Sequence, residues 1–133
     1  MATAIEPSRA RAFLKKAEEY LASAQDNLDL ERFTPAAGDA IHAGISAKDA
    51  ILTALTGATG KAKDHAHAVK ELEQALGKRE NAGTAIRALW ELVAAKGDVE
   101  YGVFSVDAAK AKPLVRRART LVDLAVAIVR LGR

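Results

Sequence analysis

Apolar side chains recur at spacings of three and four along most of the chain, which is the period of an α-helix with one buried face. In the first segment Leu14, Ala17, Leu21, Ala24 and Leu28 form such a stripe. No segment alternates apolar and polar residues as a half-buried β-strand does. The pattern predicts five helices, over residues 8–29, 34–56, 65–76, 82–96 and 106–131.

Residues that favour helix ends set these boundaries. Thr34 followed by Pro35 predicts an N-cap with proline in the first turn. Gly57 predicts a left-handed C-cap, and Lys96 with Gly97 predicts the end of the fourth helix. Further helix ends are expected at Ser8, Asp64, Gly77 and Asn81, and Ser105 and Asp107 are expected to begin the last helix. Pro113 falls inside the last helix and is expected either to kink it or to divide it.

The second predicted helix is lined with alanine and glycine on most sides, so we expect neighbouring helices to surround it closely. Its polar residues follow one narrow line, at Asp39, His42, Ser46, Asp49, Thr53 and Thr56. With short connections between the helices, we expect a single domain over residues 1–133, an antiparallel up-and-down bundle of about five helices.

The amino-acid composition excludes several classes of function. The chain has 133 residues and no cysteine, so disulfides, thiolate metal sites and a cysteine nucleophile are excluded. The first ten residues do not have the pattern of a signal peptide and no apolar run could span a bilayer, so a cytoplasmic protein without membrane contact is expected. Residues 107–133 hold seven Lys or Arg and two Asp, a net charge of +5, which leaves −2 for residues 1–106.

The loop after the second helix could be mistaken for a phosphate-binding loop, because Gly57, Gly60 and Lys61 give the spacing G-x-x-G-K. The Walker pattern also needs a glycine at Leu55, a Ser or Thr at Ala62 and a preceding strand. None of these is present. We interpret the segment as an ordinary connection between helices.

The histidines permit a metal site in principle, but their spacing does not favour one. His65 and His67 would point to different sides of a helix, and no Glu-x-x-His pair exists. We therefore predict no metal and no cofactor. By spacing, His65 joins the apolar face of the third helix and is expected to be packed, while His67 joins the polar face.

A basic face on the last helix is the stronger candidate. Lys112, Arg116 and Arg119 are four and three residues apart and share one side of the helix. Such a row can neutralise the phosphates of a nucleic acid. We favour a solvated helix face over nucleic-acid binding here, because no aromatic residue lies between the charges.

The order of features in the chain resembles the HEPN family of all-helical domains, over about residues 8–131. The resemblance is carried by a helix ending in AILTALTG, a loop and short helix with KAKDHAHAVKEL, a helix with LWELVAAKG, and then DVEYG before a long last helix. It implies a bundle of about five helices, commonly dimeric, in a family associated with nucleotides and RNA. Many members are ribonuclease toxins or partners of nucleotidyltransferases in toxin–antitoxin systems.

Nuclease members of that family carry an arginine, four to six residues, and then a histidine. This sequence departs from the motif, and its nearest match is Lys61 with five residues before His67. Lysine lacks the planar fork with which arginine holds a phosphate. In an active pair, His67 would act as acid or base and Lys61 would stabilise phosphate charge.

The leading hypothesis is therefore a non-catalytic helical bundle that forms a homodimer and binds a nucleotide, an RNA or a protein such as a nucleotidyltransferase. A ribonuclease toxin using Lys61 and His67 is the first alternative. A structural homo-oligomer without a ligand is the second. The candidate binding residues are Lys61, Lys63, His67, Lys96, Tyr101, Lys112, Arg116 and Arg119, and a groove is expected beside the polar line of the second helix.

Overall fold

A computed structural model describes residues 7–60 and 64–133 of the chain. The helices run α1 Pro7–Asp29, α2 Phe33–Thr56, α3 His65–Leu76, α4 Ala82–Tyr101 and α5 Ala108–Val129. This part of the chain contains no strand. The predicted all-helical bundle of five helices is confirmed.

Contacts between side chains give the helix directions. Tyr20 stacks on His42 while Ser23 bonds Asp39, so α1 and α2 are antiparallel. The same reversal relates α1 to α5, where Arg130 bonds Glu18 and Arg119 bonds Gln25. The two pairs Glu91–Arg117 and Asp98–Lys110 make α4 and α5 antiparallel as well. The four long helices therefore alternate in direction.

Helix α2 occupies the centre, as its small side chains predicted, and contacts each of the other four helices. Gly44 shows why small residues are needed there. A Cβ atom at Gly44 would lie 2.5 Å from Cδ1 of Leu92 and 3.4 Å from Cδ1 of Leu121. Buried apolar residues from all five helices form one continuous cluster around α2.

Several predicted caps are confirmed. Gly57 ends α2 with a φ of 79° in the left-handed region, and the Asp64 carboxylate accepts a hydrogen bond from the backbone N–H of His67 at 2.8 Å. The Asp107 carboxylate caps α5 in the same way, by accepting a hydrogen bond from the backbone N–H of Lys110. Gly77 follows α3 as expected.

The prediction of Thr34 as an N-cap is wrong, because α2 begins one residue earlier, at Phe33. The Thr34 hydroxyl instead accepts the backbone N–H of Val106 at 2.9 Å and holds the segment that precedes α5. Ser8 also lies inside its helix rather than before it. Asn81 occupies the N-cap position of α4, but its side chain makes no capping hydrogen bond.

The fourth helix is longer than predicted. It passes through Gly97 and ends at Tyr101. Glycine inside a helix costs only about 1 kcal/mol relative to alanine, and the extra turn buries Val99 against the core near Gly38. That burial outweighs the signal from Lys96 and Gly97, so the connection to α5 contains only residues 102–107.

Pro113 does not divide the last helix, because α5 continues from Ala108 to Val129 around it. The proline lies in the second turn, where its missing N–H removes a single bond near the helix start. In the described residues, no helix is long and apolar enough to cross a membrane.

Candidate functional site

A cleft of about 670 Å³ opens between α2, α3 and α4. Its floor is apolar and its walls carry an aromatic ring and several charged groups. The lining residues are Ile45, Lys48, Asp64, His65, Ala66, Ala68, Leu89, Trp90, Val93 and Lys96. Its volume falls within the range of small-molecule sites, roughly 300 to 1,000 Å³.

Among the described residues, Lys48 is the one buried lysine, and it is only 5% exposed. Its ammonium lies 2.9 Å from Oδ1 of Asp49 and 4.0 Å from Oε1 of Glu71. A buried ammonium needs such partners because its desolvation is costly. The α2–α3 packing thus fixes a positive charge in the cleft wall.

Lys96 lies on α4 at the other wall and is one third exposed. Its ammonium is 3.5 Å from Oε2 of Glu100, whose other oxygen lies 3.5 Å from Nε2 of His42. His42 in turn stacks on Tyr20, with ring centroids 5.2 Å apart. A chain of polar and aromatic contacts therefore links the cleft to α1.

The first turn of α3 closes one side of the cleft. Asp64 is held there by its bond to the N–H of His67, and His65 follows it. The expectation that His65 is packed in the core is wrong, since its side chain is exposed. The apolar spacing correctly predicted that His65 lies on the side of α3 that faces α2 and α4. At the beginning of α3, however, that side borders the open cleft and not the core.

Trp90, the only tryptophan of the chain, was not predicted as a site residue. It lies beside the fully buried Leu89 on α4 and remains 50% exposed at the cleft. The available signal was its spacing, which places Trp90 on the same side of the helix as Arg87 and Ala94. A large aromatic side chain left at the surface of a cleft is characteristic of binding sites.

The structure brings few of the predicted binding residues together. Lys96 lines the cleft, whereas His67 is exposed and outside the lining. Tyr101 is 79% exposed at the end of α4, three helical turns beyond Trp90. Lys61 and Lys63 lie outside the described residues.

On α5, Lys112 and Arg116 are exposed, and Arg119 donates a hydrogen bond to Oε1 of Gln25 at 2.8 Å. The neighbouring Arg117 pairs with Glu91. The basic face therefore exists as a surface feature of α5, apart from the cleft lining.

The polar line of α2 does not form one groove. Ser46 and Thr53 are buried, and the Thr53 hydroxyl bonds the carbonyl oxygen of Asp49 at 2.8 Å. Asp39 accepts hydrogen bonds from Ser23 at 2.6 Å and Asn27 at 3.1 Å, and so holds α1 against α2. Within residues 7–60 and 64–133, no three His, Asp or Glu side chains converge as metal ligands would.

No protein-family model matches the chain, and no curated protein is significantly similar to it in sequence.

Proposed function

We propose that this chain is a non-catalytic binding protein and that the cleft between α2, α3 and α4 takes a nucleotide. The observation that carries the proposal is the half-exposed indole of Trp90 beside a cleft whose more open wall carries the partly exposed ammonium of Lys96. A planar aromatic ligand with an anionic end matches both features.

The two ends of a nucleotide would use different parts of the cleft. Stacking of a base on an aromatic side chain contributes about 1 to 3 kcal/mol and tolerates any base. Lys96, at the more open wall, is available to a phosphate at the cost of loosening its contact with Glu100. Lys48 would add little attraction for a phosphate, because the carboxylates of Asp49 and Glu71 already neutralise its ammonium.

An RNA strand is the second ligand class that the proposal includes. It would place one base on Trp90, whereas the basic face with Lys112 and Arg116 lies apart from the cleft lining. The ribonuclease alternative with Lys61 and His67 has less support, since the exposed His67 side chain lies outside the cleft lining. A toxin–antitoxin role with a nucleotidyltransferase partner rests on the HEPN resemblance alone.

The single tryptophan gives a direct test of nucleotide binding. AMP, GMP, CMP and UMP are titrated while indole emission is excited at the red edge, where the bases absorb little. We expect saturable quenching, and a higher melting temperature because a ligand of the folded state stabilises it. Lys96→Gln should weaken binding about tenfold, the effect of losing one charge-assisted contact. Lys78→Gln, an exposed lysine outside the cleft lining, is the matched control.

A protein whose emission and melting temperature respond to none of the nucleotides, nor to a short single-stranded RNA, would disprove the proposal. So would equal weakening by Lys96→Gln and Lys78→Gln. RNA cleavage that disappears in a folded His67→Ala variant would instead establish the ribonuclease alternative.

A further inference from the structure

Carboxylates outnumber ammonium groups among the described residues around the cleft. Three charged groups belong to the lining itself, and three more contact its lysines. The groups are Lys48, Lys96, Asp64, Asp49, Glu71 and Glu100. Two positive and four negative charges give these groups a formal net charge of −2. Their combined field therefore disfavours a highly charged anion.

The two lysines differ in how available they are to a ligand. Lys48 is buried, and its ammonium lies 2.9 Å from Oδ1 of Asp49. Lys96 is one third exposed, and its ammonium lies 3.5 Å from Oε2 of Glu100. That distance is longer than a charge-assisted hydrogen bond of about 2.7 to 2.9 Å, so Lys96 can turn toward a ligand. One accessible ammonium can hold one phosphate group.

Trp90, Lys96 and Glu100 follow one another along α4. With a rise of about 1.5 Å per residue, Lys96 lies about 9 Å along the helix axis beyond Trp90, and Glu100 lies about 6 Å farther. A nucleoside monophosphate with its base on Trp90 can span the first distance and place its phosphate at Lys96. A second or third phosphate that continues in this direction approaches the Glu100 carboxylate, which repels it.

The α3 side of the cleft also disfavours further phosphates. The N-terminus of a helix attracts anions when its first N–H groups are unpaired. In α3, the Asp64 carboxylate accepts the N–H of His67, and the Asp64 carbonyl oxygen accepts the N–H of Ala68. The beginning of this helix therefore already holds a negative charge, at a residue that lines the cleft.

We infer that the cleft selects nucleotides by charge, so that it takes a nucleoside monophosphate and disfavours the diphosphate and the triphosphate. Asp64 and Glu100 determine this specificity by repelling the outer phosphates. The inference rests on the proposed nucleotide function and adds to it the class of nucleotide that is bound.

A series of adenine compounds with increasing numbers of phosphates tests the inference. Adenosine, AMP, ADP and ATP are titrated against indole emission at pH 8, where histidine side chains are neutral, with EDTA present to remove divalent cations. AMP should bind most tightly. Adenosine should bind about tenfold more weakly because it lacks the contact with Lys96. ATP should bind about fivefold more weakly than AMP because partly solvated like charges repel one another.

Asp64→Asn removes the negative charge on the α3 side and keeps the helix cap, since asparagine and aspartate are equally good N-caps. It should raise the affinity for ATP about threefold to fivefold and change the affinity for AMP by less than about twofold. Glu73→Gln is the matched control, because it removes a negative charge from an exposed side chain of the same helix outside the cleft lining. The ratio of the ATP and AMP affinities should stay unchanged in this control.

Glu100→Gln tests the second carboxylate. It releases Lys96 and should therefore raise the affinity for AMP, while the affinity for ATP should rise more because the repulsion is also removed. The ratio of the two affinities separates these effects. Helical circular dichroism verifies that each variant folds.

Failure of the proposed function and failure of this inference give different results. A protein whose emission responds to none of the four compounds would remove the nucleotide function, and this inference with it. If AMP binds but ATP binds equally well or more tightly, the nucleotide function stands and the selection by charge is overturned. An equal rise of the ATP affinity in Asp64→Asn and Glu73→Gln would also overturn it, because the repulsion would then come from the whole surface and not from the cleft.

Discussion

The contact of α1 with α2 and α5 differs from the outward face of α4 in how its side chains find partners. Asp39 joins α2 to α1, and Arg130 donates from both terminal guanidinium nitrogens to the Glu18 carboxylate. On α4, by contrast, Trp90 leaves half of its surface exposed and Tyr101 leaves 79% exposed. The α1 side explains how the chain folds, and the α4 side points to what the folded chain contacts.

The largest expected effect contrasts two neighbouring residues of α4. Leu89→Ala opens a cavity in the core and should lower the free energy of unfolding by about 2 to 5 kcal/mol. Trp90→Ala should lower it by less, about 1 kcal/mol, because half of that side chain is already in water. Urea unfolding followed by circular dichroism measures both without the tryptophan signal. Equal losses would mean that Trp90 belongs to the core rather than to a surface site.

Substitution by alanine should change the free energy of unfolding in opposite directions at two glycines of the helices. Gly44→Ala forces Leu92 to move and should destabilise the fold by about 1 kcal/mol, the cost of overpacking less the gain in helix propensity. Gly97→Ala gains that propensity without a clash and should stabilise the fold by about 1 kcal/mol. Thermal unfolding at low protein concentration compares them. A loss of stability in Gly97→Ala would show that the fold itself requires the glycine.

The smallest expected change in stability comes from the helix caps, where one N-cap side chain makes a hydrogen bond and another does not. Asp107→Ala removes the acceptor of the Lys110 N–H at 3.0 Å and should cost about 1 kcal/mol. Asn81→Ala removes no capping bond and should cost only a few tenths. Chemical denaturation midpoints measure both. A larger cost for Asn81→Ala would reverse the assignment of the caps.

The sequence predicted most of the fold because repeated apolar spacing determines which helix face is buried. It was wrong at the end of α4, where two end signals at Lys96 and Gly97 compete with the burial of Val99. Local rules contain no measure of that tertiary contribution. The same limit applies to Thr34, whose hydroxyl serves a segment 72 residues away.

The candidate site was less predictable. Lys96 was identified, but Trp90 and Lys48 were not, since their importance depends on how α2, α3 and α4 meet. Lys48 looks like any surface lysine until Asp49 and Glu71 surround it. His65 shows the opposite case, because its apolar spacing predicted burial although α3 begins there and leaves it exposed.

The bonds between α1 and α5 also bear on the order of folding. Ser23 and Asp39 are separated by 16 residues, whereas Glu18 and Arg130 are separated by 112. Closing a longer loop costs more chain entropy before any contact is gained. We therefore expect the α1–α2 hairpin to form early and the docking of α5 to complete the bundle.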